Sequence, residues 1–151
     1  MVYKKKNGYV INKTGYKMKY IHFTDSEKVN IKIIDKQHQS MVKIVNNIHS
    51  NLGKDKHYNF NSDLQNLINE IKFHFETEER LMKENNFLGY YSHKLEHDRF
   101  LNQINKNFTE LKKGKSEIIF NQLESIKRWF YNHLDLSDKK LGSFLNSIGI
   151  K

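Results

Sequence analysis

The sequence predicts an all-α protein: an antiparallel up-down-up-down four-helix bundle, preceded by an irregular arm and a basic tail expected to be disordered. Three observations carry this. Apolar residues recur at helical spacing over four long segments. Proline is absent and only 7 glycines occur in 151 residues, which favours long helices over a loop-rich fold. The stretches between the segments are short, and short connections make successive helices antiparallel neighbours. The length suffices for one domain with a substantial core; residues 1–21 are expected to be an extension and 22–151 the bundle domain.

The net charge of +9 is unevenly placed. Residues 1–21 hold Lys4, Lys5, Lys6, Lys13, Lys17 and Lys19 and no acid, leaving 20 basic and 17 acidic residues in the remainder. A basic tail can meet nucleic acid or anionic lipid, but a solvated extension is the simpler expectation, and no nucleic-acid partner is expected. Met18 opens MKYIHFTDSE, itself a plausible start. Residues 22–34 read as an irregular arm, with Phe23, Val29, Ile31, Ile33 and Ile34 packing over a bundle end.

The first helix is predicted from Asp35 to Leu52, on a seam of Ile34, His38, Met41, Val45, Ile48 and Leu52, with Asp35 capping it and steadying the neighbouring turn and Gly53 stopping it. The second runs from Ser62 to Asn85, capped by Asn61 or Ser62, on Leu64, Leu67, Ile68, Ile71, Phe75 and Met82. The third runs from Tyr91 to Lys113, on His93, His97, Phe100, Ile104, Phe108 and Leu111, with Gly114 ending it. The fourth runs from Ser116 to Phe144, on Ile119, Leu123, Ile126, Trp129 or Phe130, and His133. Asp138 lies five residues past His133, about 140° round an ideal helix, so both face inward only through a bend or widened turn.

With no cysteine, disulfides, thiolate sites and iron–sulfur clusters are excluded, and any metal must be held by His, Asp or Glu. No apolar run approaches the roughly 18 residues of a membrane span, and no secretory signal is visible; a cytoplasmic protein without membrane contact is expected. No Gly-rich phosphate loop or nucleophile elbow is present.

The stripes carry polar residues that a core does not accept unpaired. His38 comes from the first helix, His74 and Glu78 from the second, His93 and His97 from the third, His133 and Asp138 from the fourth. His-x₃-Glu and His-x₃-His place side chains one turn apart, within reach of a shared ion. Seven ligands exceed what one zinc takes. They suit two six-coordinate ions bridged by carboxylates. Imidazole with carboxylate fits iron, with manganese, cobalt and zinc compatible on ligand type alone.

The motifs IDKQHQ at 34–39, HFETE at 74–78, HKLEH at 93–97 and HLDLSD at 133–138 resemble those of the hemerythrins, in order and on four successive helices. The resemblance covers residues 22–149. It implies that His93, His97 and His133 bind one iron, that His38 and His74 bind the other, and that Glu78 and Asp138 bridge them beside an oxo or hydroxo group. It implies two iron ions (Fe2+/Fe3+), with one left an open position where O2 binds. Met41, Val42, Trp129, Phe130 and Leu134 would line the O2 pocket. Phe23, Asn30 and Leu141 depart from residues common in the family, a tryptophan, a glycine and a tyrosine respectively.

The expected function is reversible, non-enzymatic O2 binding for storage, delivery or sensing. The alternatives are a diiron enzyme acting on O2, peroxide or nitric oxide, and an iron-handling or sensory module. A monomer is the simplest expectation. His22, His49 and His57 match no motif, and Glu76, Glu79, Glu84 and Glu96 are expected to be solvated or in surface ion pairs.

Overall fold

The computed structural model describes residues 4–6, 9–11, 19–55, 57–111 and 116–151. Within the basic extension, β1 (Lys4–Lys6) and β2 (Tyr9–Ile11) pair antiparallel, Lys5 opposite Val10. This short ladder was not foreseen in a tail expected to be disordered; residues 12–18 lie outside the described residues. The arm follows, with a 3-10 turn at Asp25–Glu27 closed by a Thr24–Glu27 capping box.

Four long helical rods then form the bundle: α1 (Lys32–Lys54), α2 (Asn61–Glu84), α3 (Tyr90–Leu111) and α4 (Ser116–His133), the last continuing through a π turn at Leu134–Asp138 into α5 (Lys139–Ser147). α1 packs on α2, α2 on α3, α3 on α4, and α4 back on α1, which closes the ring. The seam residues Ile34, Val45, Ile48, Leu64, Leu67, Ile68, Ile119 and Leu123 are buried as their spacing requires.

Three local expectations are corrected. α1 begins before Asp35, which lies in its first turn and not at its cap. The Asp35 carboxylate instead accepts hydrogen bonds from Val29 N (2.8 Å) and Asn30 N (3.1 Å). That clasp steadies Asn30 at φ 61°, a left-handed conformation that Asn tolerates better than most non-glycine residues. Gly53 does not stop α1, which runs on to Lys54. The N-cap of α2 is Phe60, with no side-chain cap bond; Asn59 Oδ1 accepts from Asn61 N at 3.1 Å. The expected stop at Gly114 lies outside the described residues.

The arm is packed, not loose. Ile21, Val29 and Ile31 are buried, and Asn146 of α5 donates to Val29 O at 3.2 Å. Gly142 lets α5 approach this strand of the arm: a Cβ there would lie 2.6 Å from Val29 O and 2.8 Å from Val29 Cβ. Gly142→Ala is therefore expected to lower stability by about 1–3 kcal/mol, as overpacking does; urea denaturation measures this, and an unchanged midpoint would show that the arm moves aside freely.

Candidate metal centre

The π turn resolves the spacing problem at the fourth helix. An i→i+5 turn is wider than an α turn, so residues five apart come onto one face. His133 Nε2 and Asp138 Oδ1 accordingly lie 3.0 Å apart, both buried. The other ligand candidates sit on regular α-helix, where i and i+4 share a face.

All seven side chains converge in the middle of the bundle and are buried. Their donor atoms fall into two groups that share both carboxylates: Glu78, His93, His97, His133 and Asp138, and His38, His74, Glu78 and Asp138. In the first, His133 Nε2 lies 3.0 Å from His93 Nε2 and 3.1 Å from His97 Nε2. Asp138 Oδ1 lies 3.2 Å from His93 Nε2, and Glu78 Oε2 lies 3.3 Å from the Nε2 atoms of His93 and His97. In the second, His38 and His74 approach Nε2 to Nε2 at 3.2 Å. Asp138 Oδ2 is 3.3 Å from His38, and Glu78 Oε2 is 3.7 Å from His74. Asp138 thus turns one oxygen to each group.

These separations fit metal ligation. Adjacent donors around an octahedral ion with bonds of about 2.1 Å lie about 3.0 Å apart, against about 3.4 Å around a tetrahedral one. Two imidazole nitrogens at such distances compete for one proton, and three cannot all be satisfied by hydrogen bonds. Both Glu78 oxygens and Asp138 Oδ1 are buried with no well-directed hydrogen bond. A buried acceptor left in that state is costly, and a cation satisfies it.

The outward ring nitrogens are held by a second layer. Glu96 Oε2 accepts from His133 Nδ1 at 2.6 Å and from the Ser137 hydroxyl at 2.8 Å, tying α3 to the π turn. Glu79 Oε1 accepts from His97 Nδ1 at 3.1 Å. Gln37 Oε1 faces His74 Nδ1 at 3.3 Å, while its amide donates to Thr77 at 2.9 Å. These contacts aim the Nε2 atoms of His133, His97 and His74 inward and favour their basicity, whereas His38 Nδ1 and His93 Nδ1 have no hydrogen-bond partner. Glu79 and Glu96 are partly exposed, and Glu79 does pair with Lys94 at 3.5 Å, but each also holds a buried imidazole, which the expectation of solvated or surface-paired acids did not include; Glu84 pairs at the surface with Arg80 at 3.1 Å. The available signal was their place in sequence, each beside a ligand (Glu78, His97), but the facing residue belongs to another helix. Aromatic rings complete the setting: Phe75 stacks on His97 at 3.7 Å and Trp129 on His133 at 4.3 Å.

Protonation follows from the same surroundings. Burial penalises charge on His74 and outweighs nearby Glu78, holding its pKa down to about 3. Burial also opposes charge on His93, but there Asp138 and Glu78 prevail and raise it to about 10. His133 is raised against burial by Asp138. Burial raises both carboxylates, yet the surrounding imidazoles bring Glu78 and Asp138 well below the ordinary range.

A cavity of about 30 Å3 adjoins the centre, room for little more than one small molecule. His38 and His74 are on its wall, with His133 and Asp138, whereas His93 and His97 are not. Met41, Val42, Trp129 and Phe130 line it; Leu134 is buried but does not. Phe75, within HFETE, lines it too, as do Val45, Leu67, Ile71, Phe100 and Ile126, which belong to no motif and read as ordinary core.

Fold and site together define a metal-binding helical bundle with a histidine- and carboxylate-lined core. The family model described as hemerythrin HHE cation binding domain matches residues 29–145, and the chain belongs to the hemerythrin family. It is 25% identical over 118 residues to a bacteriohemerythrin of Methylococcus capsulatus, covering 78% of this chain and 90% of that one. It is 27% identical over 110 residues to a bacteriohemerythrin of Aquifex aeolicus, covering 72% and 84%. The solved structure of a wild-type hemerythrin superposes with a TM-score of 0.73 at 22% identity, covering 82% of this chain and 96% of that one, and supports the fold.

In the metal-free chain the raised His93 is protonated at neutral pH, and its Nε2 must give up that proton to a metal. Loading the metal-free protein at pH 7.5 is expected to release about one proton or more per chain. Calorimetry in buffers of differing ionisation enthalpy reads this number; zero release would show that the imidazoles wait as neutral donors.

Proposed function

We propose that this chain holds two iron ions and binds O2 reversibly, in storage, delivery or sensing, without turning it over. The observation that carries this reading is the asymmetry of the two donor groups about the shared carboxylates. His93, His97 and His133 with Glu78 and Asp138 offer five donors, while His38 and His74 with the same carboxylates offer four. An ion held by the second group would have one protein donor fewer and so more room for an outside ligand. The small cavity lies on the side of His38 and His74.

Held by these residues, a reduced iron pair would supply the electrons for reversible O2 binding. The protein's part is to keep that exchange reversible. Apart from His38, His74, His133 and Asp138, the described cavity wall is hydrocarbon, aromatic and thioether. No spare acid stands there to protonate a reduced ligand and let it leave, and such a wall also excludes water. Glu96 and Glu79 hold the imidazoles of His133 and His97 in place, so little reorganisation accompanies a change of charge.

The test is to purify the protein, count its iron, and record visible spectra without O2, with O2 and after its removal. Two irons per chain and a band that appears and disappears are expected. Irreversible oxidation with peroxide release would favour an oxidase, and a single bound zinc would refute the diiron reading. Glu78→Ala is expected to abolish loading of the pair, measured as metal per chain; full two-iron loading would contradict its role as a shared ligand.

A further inference from the structure

A second and larger hollow of about 560 Å3 opens on the surface between the arm and α1. Its lining is mixed: Lys19, Lys43, Gln39, Asn46 and Asn47 stand on its walls beside the apolar Phe23, Ile21 and Val42. Ile21 and Val42 line both this groove and the buried cavity beside His38 and His74. Val42 belongs to α1, whose position the bundle fixes. Ile21 belongs to the arm and is 1% exposed.

The arm is fastened here from both sides. Asn46 clasps the Ile21 main chain, accepting from its N–H at 2.8 Å and donating to its carbonyl at 2.9 Å. Tyr131 does the same for His22, accepting from N–H at 3.0 Å and donating to O at 2.9 Å. Tyr20 donates to Glu124 at 2.7 Å and stacks on His49 at 4.0 Å. Main-chain groups outside any helix thus receive partners from α1 and α4, and an apolar side chain is set on the wall shared by the surface groove and the mostly apolar cavity.

We propose that Ile21 is the selectivity-determining residue of the centre: it separates the groove from the cavity, admits a small neutral diatomic ligand and retards hydrated anions and water. The inference rests on the reading of the cavity as the ligand site. A neutral diatomic passes an aliphatic contact at little desolvation cost, whereas an anion must shed its hydration there. The groove's lysines gather anions at the mouth, so the barrier to them is the apolar contact itself. A barrier on the path alters arrival and departure by one factor and leaves affinity unchanged.

The experiment compares wild type with Ile21→Val and Ile21→Ala in stopped flow, with thermal melts as the folding control. Azide is mixed with the oxidised iron-loaded protein and, separately, with protein loaded with Co2+, whose visible spectrum reports anion binding without iron chemistry. Ile21→Ala is expected to speed azide association and dissociation alike by about tenfold, Ile21→Val by less, and O2 association by under about threefold. Unchanged azide rates in a folded Ile21→Ala chain would overturn the proposal, as would a rise in affinity with dissociation unaltered. Failure to bind O2 alongside Ile21-dependent azide rates in the cobalt form would remove the O2 reading and leave the barrier standing.

Discussion

The structure depends on the burial of two carboxylates at the centre of its own core. Glu78 is 0% exposed and Asp138 2%. Removing such charges from water costs several kcal/mol each even after relaxation. Hydrocarbon packing cannot offset this, and the five imidazoles around them can do so only by taking up protons, which burial resists. Cations held between them would satisfy the carboxylates and take the imidazoles as neutral donors. The rest of the bundle reads as a frame for that arrangement: four rods, each contributing buried His, Glu or Asp side chains to one cluster, with apolar layers on either side.

The frame is adapted where chemistry and helix geometry disagree. His133 and Asp138 are one residue too far apart for a regular turn, and the backbone widens at Leu134–Asp138 to bring them together. Glu96 then secures both the ring of His133 and the hydroxyl of Ser137 within the widened turn. Local geometry and ligand orientation are therefore fixed by the same side chain.

Much of this was legible in the sequence because it is periodic. The four apolar stripes give the helices, and the polar residues on those stripes give the ligand candidates. Even the widened turn was implied by the interval from His133 to Asp138. What escaped depends on partners distant in sequence. Glu79 and Glu96 look like surface acids until α2, α3 and α4 are set side by side. Leu134 neighbours a ligand yet faces away from the cavity, while Ile71 and Val45, anonymous in the sequence, form its wall. Gly53 failed as a stop: Leu52 is packed in the core, and α1 runs two residues past it to Lys54. The arm looked irregular, and it is, but its main chain is clasped by Asn46 and Tyr131.

The central claim is that Glu78 and Asp138 are shared by two metal ions. Anomalous diffraction at the iron edge, on crystals of the iron-loaded protein, addresses it most directly. The account predicts two peaks between these carboxylates, separated by about 3.5–4 Å as in other two-metal sites, one nearest His93, His97 and His133 and the other nearest His38 and His74. A single peak, or a pair that leaves either carboxylate outside the coordination of one ion, would contradict it.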